Sequence, residues 1–210
     1  MENNIEVLYH SSIRITGEKT IYVDPFKIDK DYNDADYIFC THTHFDHFSP
    51  EDIKKVIKED TIIIAPQDAK EEALKFVKSE ENFIYVKPDN HYVLDNIEFD
   101  TTYAYNINKQ FHPKENAWVG YILKINDEKI YIAGDTDNVP EIQAVYCDVA
   151  LIPIGGTYTM TYEEAANLAN TIDAKVVIPT HYGTIVGDKE DGERFKALVG
   201  DKEVRITMYT

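Results

Sequence analysis

Six consecutive residues, His42–His47, read H-T-H-F-D-H and hold three of the seven histidines in the chain together with a carboxylate. Neutral imidazoles and a carboxylate are natural ligands for zinc or another first-row divalent ion. His42 and His44 are two apart, so on extended backbone both rings face one point, with Phe45 turned away to pack. Asp46 and His47 follow where the chain must leave a strand and enter a helix, and that bend can aim them at a second point close to the first. The segment therefore supplies two half-sites, each short of ligands.

The missing ligands must come from elsewhere in the chain. Asp135 follows a buried apolar run in "KIYIAGDTD", where Gly134 permits close approach of the backbone. Its two oxygens can bridge two cations. His181 follows another such run in "KVVIPTHYG" and can complete the second half-site. For the third imidazole of the first half-site the candidates are His10, His91 and His112. His91 sits in a turn and reads as exposed and structural. His112 lies in a polar loop before a strong strand, and His10 ends a strand in "LYHSS", either as a competing ligand or as an outer hydrogen-bonding group beside the site. Two cations about 3.5–4 Å apart can share a water and lower its pKa from near 16 toward about 7. Hydroxide then forms at neutral pH, and the reaction class is hydrolysis of an ester, lactone, thioester, amide or phosphodiester. Asp46 is the candidate catalytic carboxylate, accepting a proton while facing the nucleophile. Lys109, Asn106, Tyr158, Thr159 and Tyr182 are candidate substrate contacts, Lys109 for an anionic group. Trp118 reads as core.

These residues need strand ends to present them. "IEVLYH", "SIRITG", "KTIYVDP" and "DYIFCTH" read as strands closed by turn residues. "SPEDIKKVIKED" reads as a helix capped by Ser49 with Pro50 at its first position. "TIIIAP" is a buried strand and "DAKEEALKFVKS" a helix. "NFIYVKP", "YVLDNIEFDTTYAY", "WVGYILKIN" and "KIYIAGD" return to strands, the last two joined by an Asn126-Asp127 hairpin turn. "DVALIPI", "KVVIPTH" and "EVRITMY" are strands separated by the helices "TYEEAANLANTI", with a Thr161/Glu164 capping box, and "DGERFKALVG". Strands come first in each half and strand–helix units follow. That order predicts a layered α/β domain, with two mixed sheets face to face and helices outside, over a single domain of residues 1–210.

At 43% hydrophobic and 28% charged residues the chain can bury a core and keep a soluble surface. Its net charge of −17 disfavours nucleic acid as a partner, since such binders carry a basic face. No basic-then-apolar leader and no apolar run of membrane length are visible, so no membrane association and a cytoplasmic location are expected. Cys40 and Cys147 sit in apolar runs and read as buried thiols.

"THTHFDH", a distal histidine, "GDTD" and "PTHYG" together resemble the metallo-β-lactamase-fold superfamily of metal-dependent hydrolases. "YHSSIRI", "YVDPF" and "LIPIGGTYTMTYEEAA" make the chain look most like the branch containing the ascorbate-6-phosphate lactonase. The resemblance covers most of the chain. It implies a four-layer αββα sandwich and a dinuclear site, with zinc the leading metal and manganese or iron as alternatives. In that family the residues matching His42, His44 and a third histidine, here best matched by His112, hold one ion. Those matching Asp46, His47 and His181 hold the other, the residue matching Asp135 bridges them, and the one matching Asp24 accepts a hydrogen bond from a ligand imidazole. No "GHTPG" motif surrounds His112, in departure from better-known members. The expected substrate is a small or medium metabolite, and the branch often forms homo-oligomers. The competing functions are a nuclease or RNA-processing enzyme on the same fold, a di-iron redox protein, disfavoured by imidazole at position 44, and a metal-binding protein without hydrolytic activity.

Overall fold

The computed structural model describes residues 4–94 and 97–207. Its contacts divide the chain into two compact units, Met1–Lys87 and Pro88–Thr210, each built on one mixed sheet.

In the first unit the strands β1 (Asn4–Tyr9), β2 (Ser12–Thr16), β3 (Thr20–Val23), β4 (Ala35–Phe39), β5 (Ile57–Pro66) and β6 (Phe83–Val86) lie side by side in chain order. The β1-β2-β3 pairs are antiparallel and the β3-β4-β5-β6 pairs parallel. Parallel strands need crossovers, and helix α1 (Pro50–Val56) supplies the one between β4 and β5. Ile53 and Val56 of α1 pack with Ile38, Cys40, Ile63 and Ala73 in one buried cluster. Ser49 caps α1, its oxygen accepting from the Asp52 N–H.

Two helices are shorter than the sequence predicts. The segment expected to stay helical to Asp60 leaves the helix at Ile57, which is extended and pairs with Ala35 in β5. Sheet pairing of a β-branched residue wins over helical periodicity there. The segment from Asp68 to Ser79 keeps one α-helical turn, α2 (Lys70–Ala73). It then tightens into i→i−3 turns, in which the Lys75 N–H bonds to the Glu72 carbonyl and the Phe76 N–H to that of Ala73.

In the second unit the sheet order is β13-β12-β11-β10-β9-β8-β7. Here β7 (Asn90–Leu94), β8 (Ile97–Tyr103), β9 (Val119–Ile125) and β10 (Glu128–Ile132) form an antiparallel meander. The strands β11 (Val149–Pro153), β12 (Val176–Thr180) and β13 (Glu203–Val204) add in parallel. The stretch read as one long strand from Tyr92 to Tyr105 is therefore a hairpin whose two central residues, 95 and 96, lie outside the described residues. Of the expected last strand only Glu203–Val204 pairs, and Met208 and Tyr209 lie outside the described residues. The predicted Asn126-Asp127 turn is present, both residues at positive φ as a type I′ hairpin requires. Every residue of β11 and β12 is buried. Helix α3 (Tyr162–Thr171) packs on β11 and on α4 (Asp191–Leu198), and it starts with the expected Thr161/Glu164 capping box. Each unit thus runs from antiparallel to parallel pairing, and Asp24, the His42–His47 turn, Asp135 and His181 follow strands with a parallel neighbour.

Candidate metal centre

In the first unit the site residues hang from the ends of β1, β3 and β4. Asp24 follows β3 at positive φ, and its N–H bonds to the Phe39 carbonyl at 2.9 Å, which fixes it beside the end of β4. Its carboxylate is fully enclosed. Oδ1 accepts from the Thr41 N–H at 2.8 Å, and Oδ2 accepts from the Thr41 hydroxyl at 2.7 Å. Oδ2 also lies 2.7 Å from His47 Nδ1. With its proton given to Asp24, the Thr41 oxygen is left to accept from His42 Nδ1 at 2.9 Å. Both rings are thereby held by Nδ1, which leaves Nε2 as the donor atom. Burial pushes the Asp24 carboxyl above the usual carboxylate range, while His47 and Thr41 pull the other way.

His44 Nδ1 stands 3.0 Å from His42 Nε2. The N–H groups of His47 and Phe48 close on the His44 carbonyl at 3.0 and 2.8 Å, a tight turn ahead of α1. That turn sets Asp46 Oδ2 3.8 Å from His47 Nε2 and 3.5 Å from His10 Nε2. His10 is fully buried at the end of β1, its Nε2 turned to Asp46 Oδ2. Phe45 does not pack inside. It is 67% exposed and touches the edge of Phe26, since the turn holding its neighbours inward leaves it facing out.

In the second unit the residues come from three separate places. His112 lies in the loop after β8, Asp135 follows β10 and His181 follows β12. Asp135 Oδ2 is 3.3 Å from His112 Nε2 and 3.0 Å from His181 Nε2, and all three side chains are buried. His181 takes positive φ, and Gly155 lets it approach β11's end. A Cβ on Gly155 would lie 2.2 Å from the His181 carbonyl oxygen. Trp118 is buried as expected, its ring 5.6 Å from that of His112. His91 is exposed in β7 rather than in a turn, and it bonds to Asp100 across the hairpin.

Of the residues expected to meet substrate, Tyr182 and Thr159 are buried, while Asn106 and Lys109 line a recess but are also held by Asp137. Asn106 is buried, with its amide bonded to His112, Asp137 and the Tyr158 carbonyl. The Lys109 ammonium sits 2.6 Å from Asp137, so its charge is already matched. Tyr182 is fully buried, its hydroxyl where a Cβ on Gly192 would fall. Thr159 is fully buried. Tyr158 is half-buried with its ring edge-on to exposed Phe111, which keeps it near the loop surface. A recess of about 590 Å³, lined by Tyr105, Ile107, Gln110 and Pro113 among others, opens on the loop that carries His112. Thr41 and Asp137 were missed by sequence reasoning. The signal for Asp137 was the second carboxylate of "GDTD", and for Thr41 its place between a buried strand and His42.

These donor sets suit a metal. Ligand atoms about 2 Å from a tetrahedral ion stand roughly 3.3 Å from one another. Within each unit the imidazole and carboxylate atoms described above lie 3.0–3.8 Å apart. They are hydrogen-bonded from behind at His42, His47 and His112, as ligand imidazoles are.

Comparison with known proteins agrees. Residues 4–181 match the family described as "Beta-lactamase superfamily domain". A UPF0173 metal-dependent hydrolase of Pyrococcus abyssi is 31% identical, over 97% of this chain and 95% of its own. Among solved structures, a candidate metal-dependent hydrolase from Parabacteroides distasonis aligns with a TM-score of 0.82 at 31% identity, covering 97% of this chain and 92% of that one. Igni18, a metallo hydrolase from Ignicoccus hospitalis, aligns at 0.78 and 22% identity over 97% and 94% of the two chains, a likeness of fold. The expected α/β sandwich with two mixed sheets is therefore the fold of this chain. None of these descriptions names a lactonase. The chain belongs to the beta-lactamase superfamily, as a metal-dependent hydrolase of the metallo-β-lactamase fold.

Proposed function

We propose that this hydrolase acts on an ester, lactone, amide or phosphodiester bond of a small or medium metabolite, using a pair of divalent ions, zinc foremost and manganese or iron as alternatives. His42, His44 and His112 would hold one ion and Asp46, His47 and His181 the other, with Asp135 a candidate ligand to both. The supporting observation is Asp135 Oδ2, 3.3 and 3.0 Å from the Nε2 atoms of two buried histidines, the spacing of neighbouring ligands. Ions held there supply Lewis acidity and a water of lowered pKa.

The chain's own residues do the rest. Asp24 keeps the His47 proton on Nδ1 directly, and the His42 proton on Nδ1 through Thr41. Asp46 accepts the proton released as water attacks and returns it to the leaving oxygen or nitrogen, with His10 holding the carboxylate in place from 3.5 Å. The net charge of −17 favours a small substrate over nucleic acid. Among the described residues no helix is long and apolar enough to cross a membrane. A cytoplasmic place, homo-oligomer assembly and the lactonase-like branch remain part of this proposal.

The test is a panel of esters, lactones, amides and phosphodiesters offered to metal-stripped protein, to the same protein reloaded with zinc, manganese or iron, and to His44→Ala. Turnover restored by metal and absent in His44→Ala is the expected result. Turnover that ignores both the metal and His44 would refute it.

A further inference from the structure

We propose that Asn106, anchored by Asp137, is the positioning residue that fixes the tautomer and aim of His112. The second carboxylate of "GDTD" thus clamps the loop that carries a metal ligand. This rests on the reading of His112 as a ligand.

The hydrogen bonds leave Asn106 no choice of orientation. Its amide nitrogen is 3.1 Å from Asp137 Oδ1 and 2.9 Å from the Tyr158 carbonyl, both pure acceptors. That end must be the NH2 group, so the other end is the carbonyl. The carbonyl oxygen accepts from the His112 N–H at 3.1 Å and lies 3.0 Å from His112 Nδ1. A carbonyl oxygen only accepts, so Nδ1 carries the proton and Nε2 the lone pair. Nε2 is the atom 3.3 Å from Asp135. The Asn106 N–H also bonds to the His112 carbonyl at 2.8 Å, which closes the loop on itself.

Asp137 holds the asparagine in turn. Its Oδ1 also accepts from Lys109 Nζ at 2.6 Å, and its Oδ2 from the Ile107 N–H at 2.9 Å. Its own N–H bonds to the Tyr105 carbonyl at 2.9 Å. Both Asn106 and Asp137 are buried, so these bonds act with little competition from water. Lys109, an expected anion contact, belongs to this clamp.

The tautomer can be read without metal or substrate, from side-chain 15N shifts of the histidines in metal-stripped protein, with His112 assigned by its loss in His112→Ala. Wild type is expected to show His112 protonated at Nδ1. Asn106→Ala is expected to move it to the Nε2–H form that free imidazole favours, and to weaken zinc in chelator competition by about 10–100-fold. Asp137→Asn leaves Asn106 intact with an amide oxygen still able to accept from its NH2 group, and is expected to keep the Nδ1–H form. An Nε2–H form in wild type overturns the proposal, as does an Asn106→Ala protein still protonated at Nδ1. If Asn106→Ala does not fold, wild type and Asp137→Asn decide: Nδ1–H in both supports it, and Nε2–H in either overturns it. A His112 protonated at Nδ1 in a protein that takes up no metal would leave this inference standing and remove the proposed function.

Discussion

The two units carry their metal-type ligands in opposite ways. In the first unit His42, His44, Asp46 and His47 are packed into one turn between β4 and α1, and a single carboxylate, Asp24, holds two of the rings. In the second unit His112, Asp135 and His181 come from loops after three different strands, and a neutral amide holds His112. A compact turn sets its ligands by local hydrogen bonds and needs no glycine within it. A dispersed set relies on backbone approach between strands, which is where Gly155 and its absent Cβ enter. One half thus hangs on a single buried anchor, Asp24, and the other on close backbone approach between strands.

The comparison can be broken most severely at Asp135. Asp135→Ala removes the carboxylate oxygen lying between two imidazoles, and hydrolytic kcat/KM is expected to fall by about 10³-fold or more, a loss of several kcal/mol in the barrier. Steady-state kinetics with metal in excess measures it. Asp24→Asn strikes the first unit's single anchor. An amide oxygen can still accept from His47, but the other oxygen's bond from the Thr41 N–H is lost. Zinc affinity by chelator competition should drop roughly 10–100-fold, against a smaller change for Asp137→Asn in the other unit, which keeps an acceptor for the Asn106 amide.

Gly155→Ala tests the dispersed design by packing alone. The added methyl meets the His181 carbonyl, and overpacking of this kind costs about 1–3 kcal/mol. The melting temperature is expected to fall by roughly 2–4 °C per kcal/mol, with activity lost beyond what unfolding explains.

Acid should expose a contrast in stability through Asp52 in the first unit. Burial alone would raise its pKa. The hydroxyl of Ser49, the Lys55 ammonium and the N–H groups of Lys27 and Ile28 outweigh that and hold it below the usual value. A depressed folded pKa means the stabilisation is complete above the unfolded value of about 3.9 and disappears as pH falls through the folded one. Denaturant melts between neutral pH and pH ~2 should show this loss, and Asp52→Asn should flatten it. The smallest effect is expected at Phe45. Although it sits amid the ligands in sequence, it is 67% exposed, and Phe45→Ala should change stability by no more than about 0.5 kcal/mol.

How far each half could be read from sequence follows from the same contrast. The first unit's candidate ligands were legible because the H-x-H-x-D-H spacing holds all of them in one place. Asp135 and His181 were legible one step less directly, as ligand-type residues ending buried strands. The presence of two mixed sheets followed from strands that precede strand–helix units in each half. What spacing does not carry is side-chain hydrogen bonding between residues distant in sequence. Asn106 and Lys109 looked like surface polar residues in a loop, and only the contact with Asp137, about thirty positions away, turns them inward. Tyr182 follows a ligand directly and so looked accessible, but the chain's turn at His181 buries it against Gly192. The helix ends at Val56 and Ala73 were illegible for a related reason. Sheet pairing at Ile57 and tight turns after Ala73 depend on partners that periodicity does not register.

Metal content per chain tests the proposed ligation by the compact and the dispersed residues most directly. Protein supplied with excess zinc, manganese or iron in turn, freed of unbound metal and analysed by plasma mass spectrometry, is expected to retain about two ions per chain. His42→Ala in one unit and His181→Ala in the other should each lower that content. Retention of no ion with any of the three metals, or a content unchanged by both substitutions, would contradict the account.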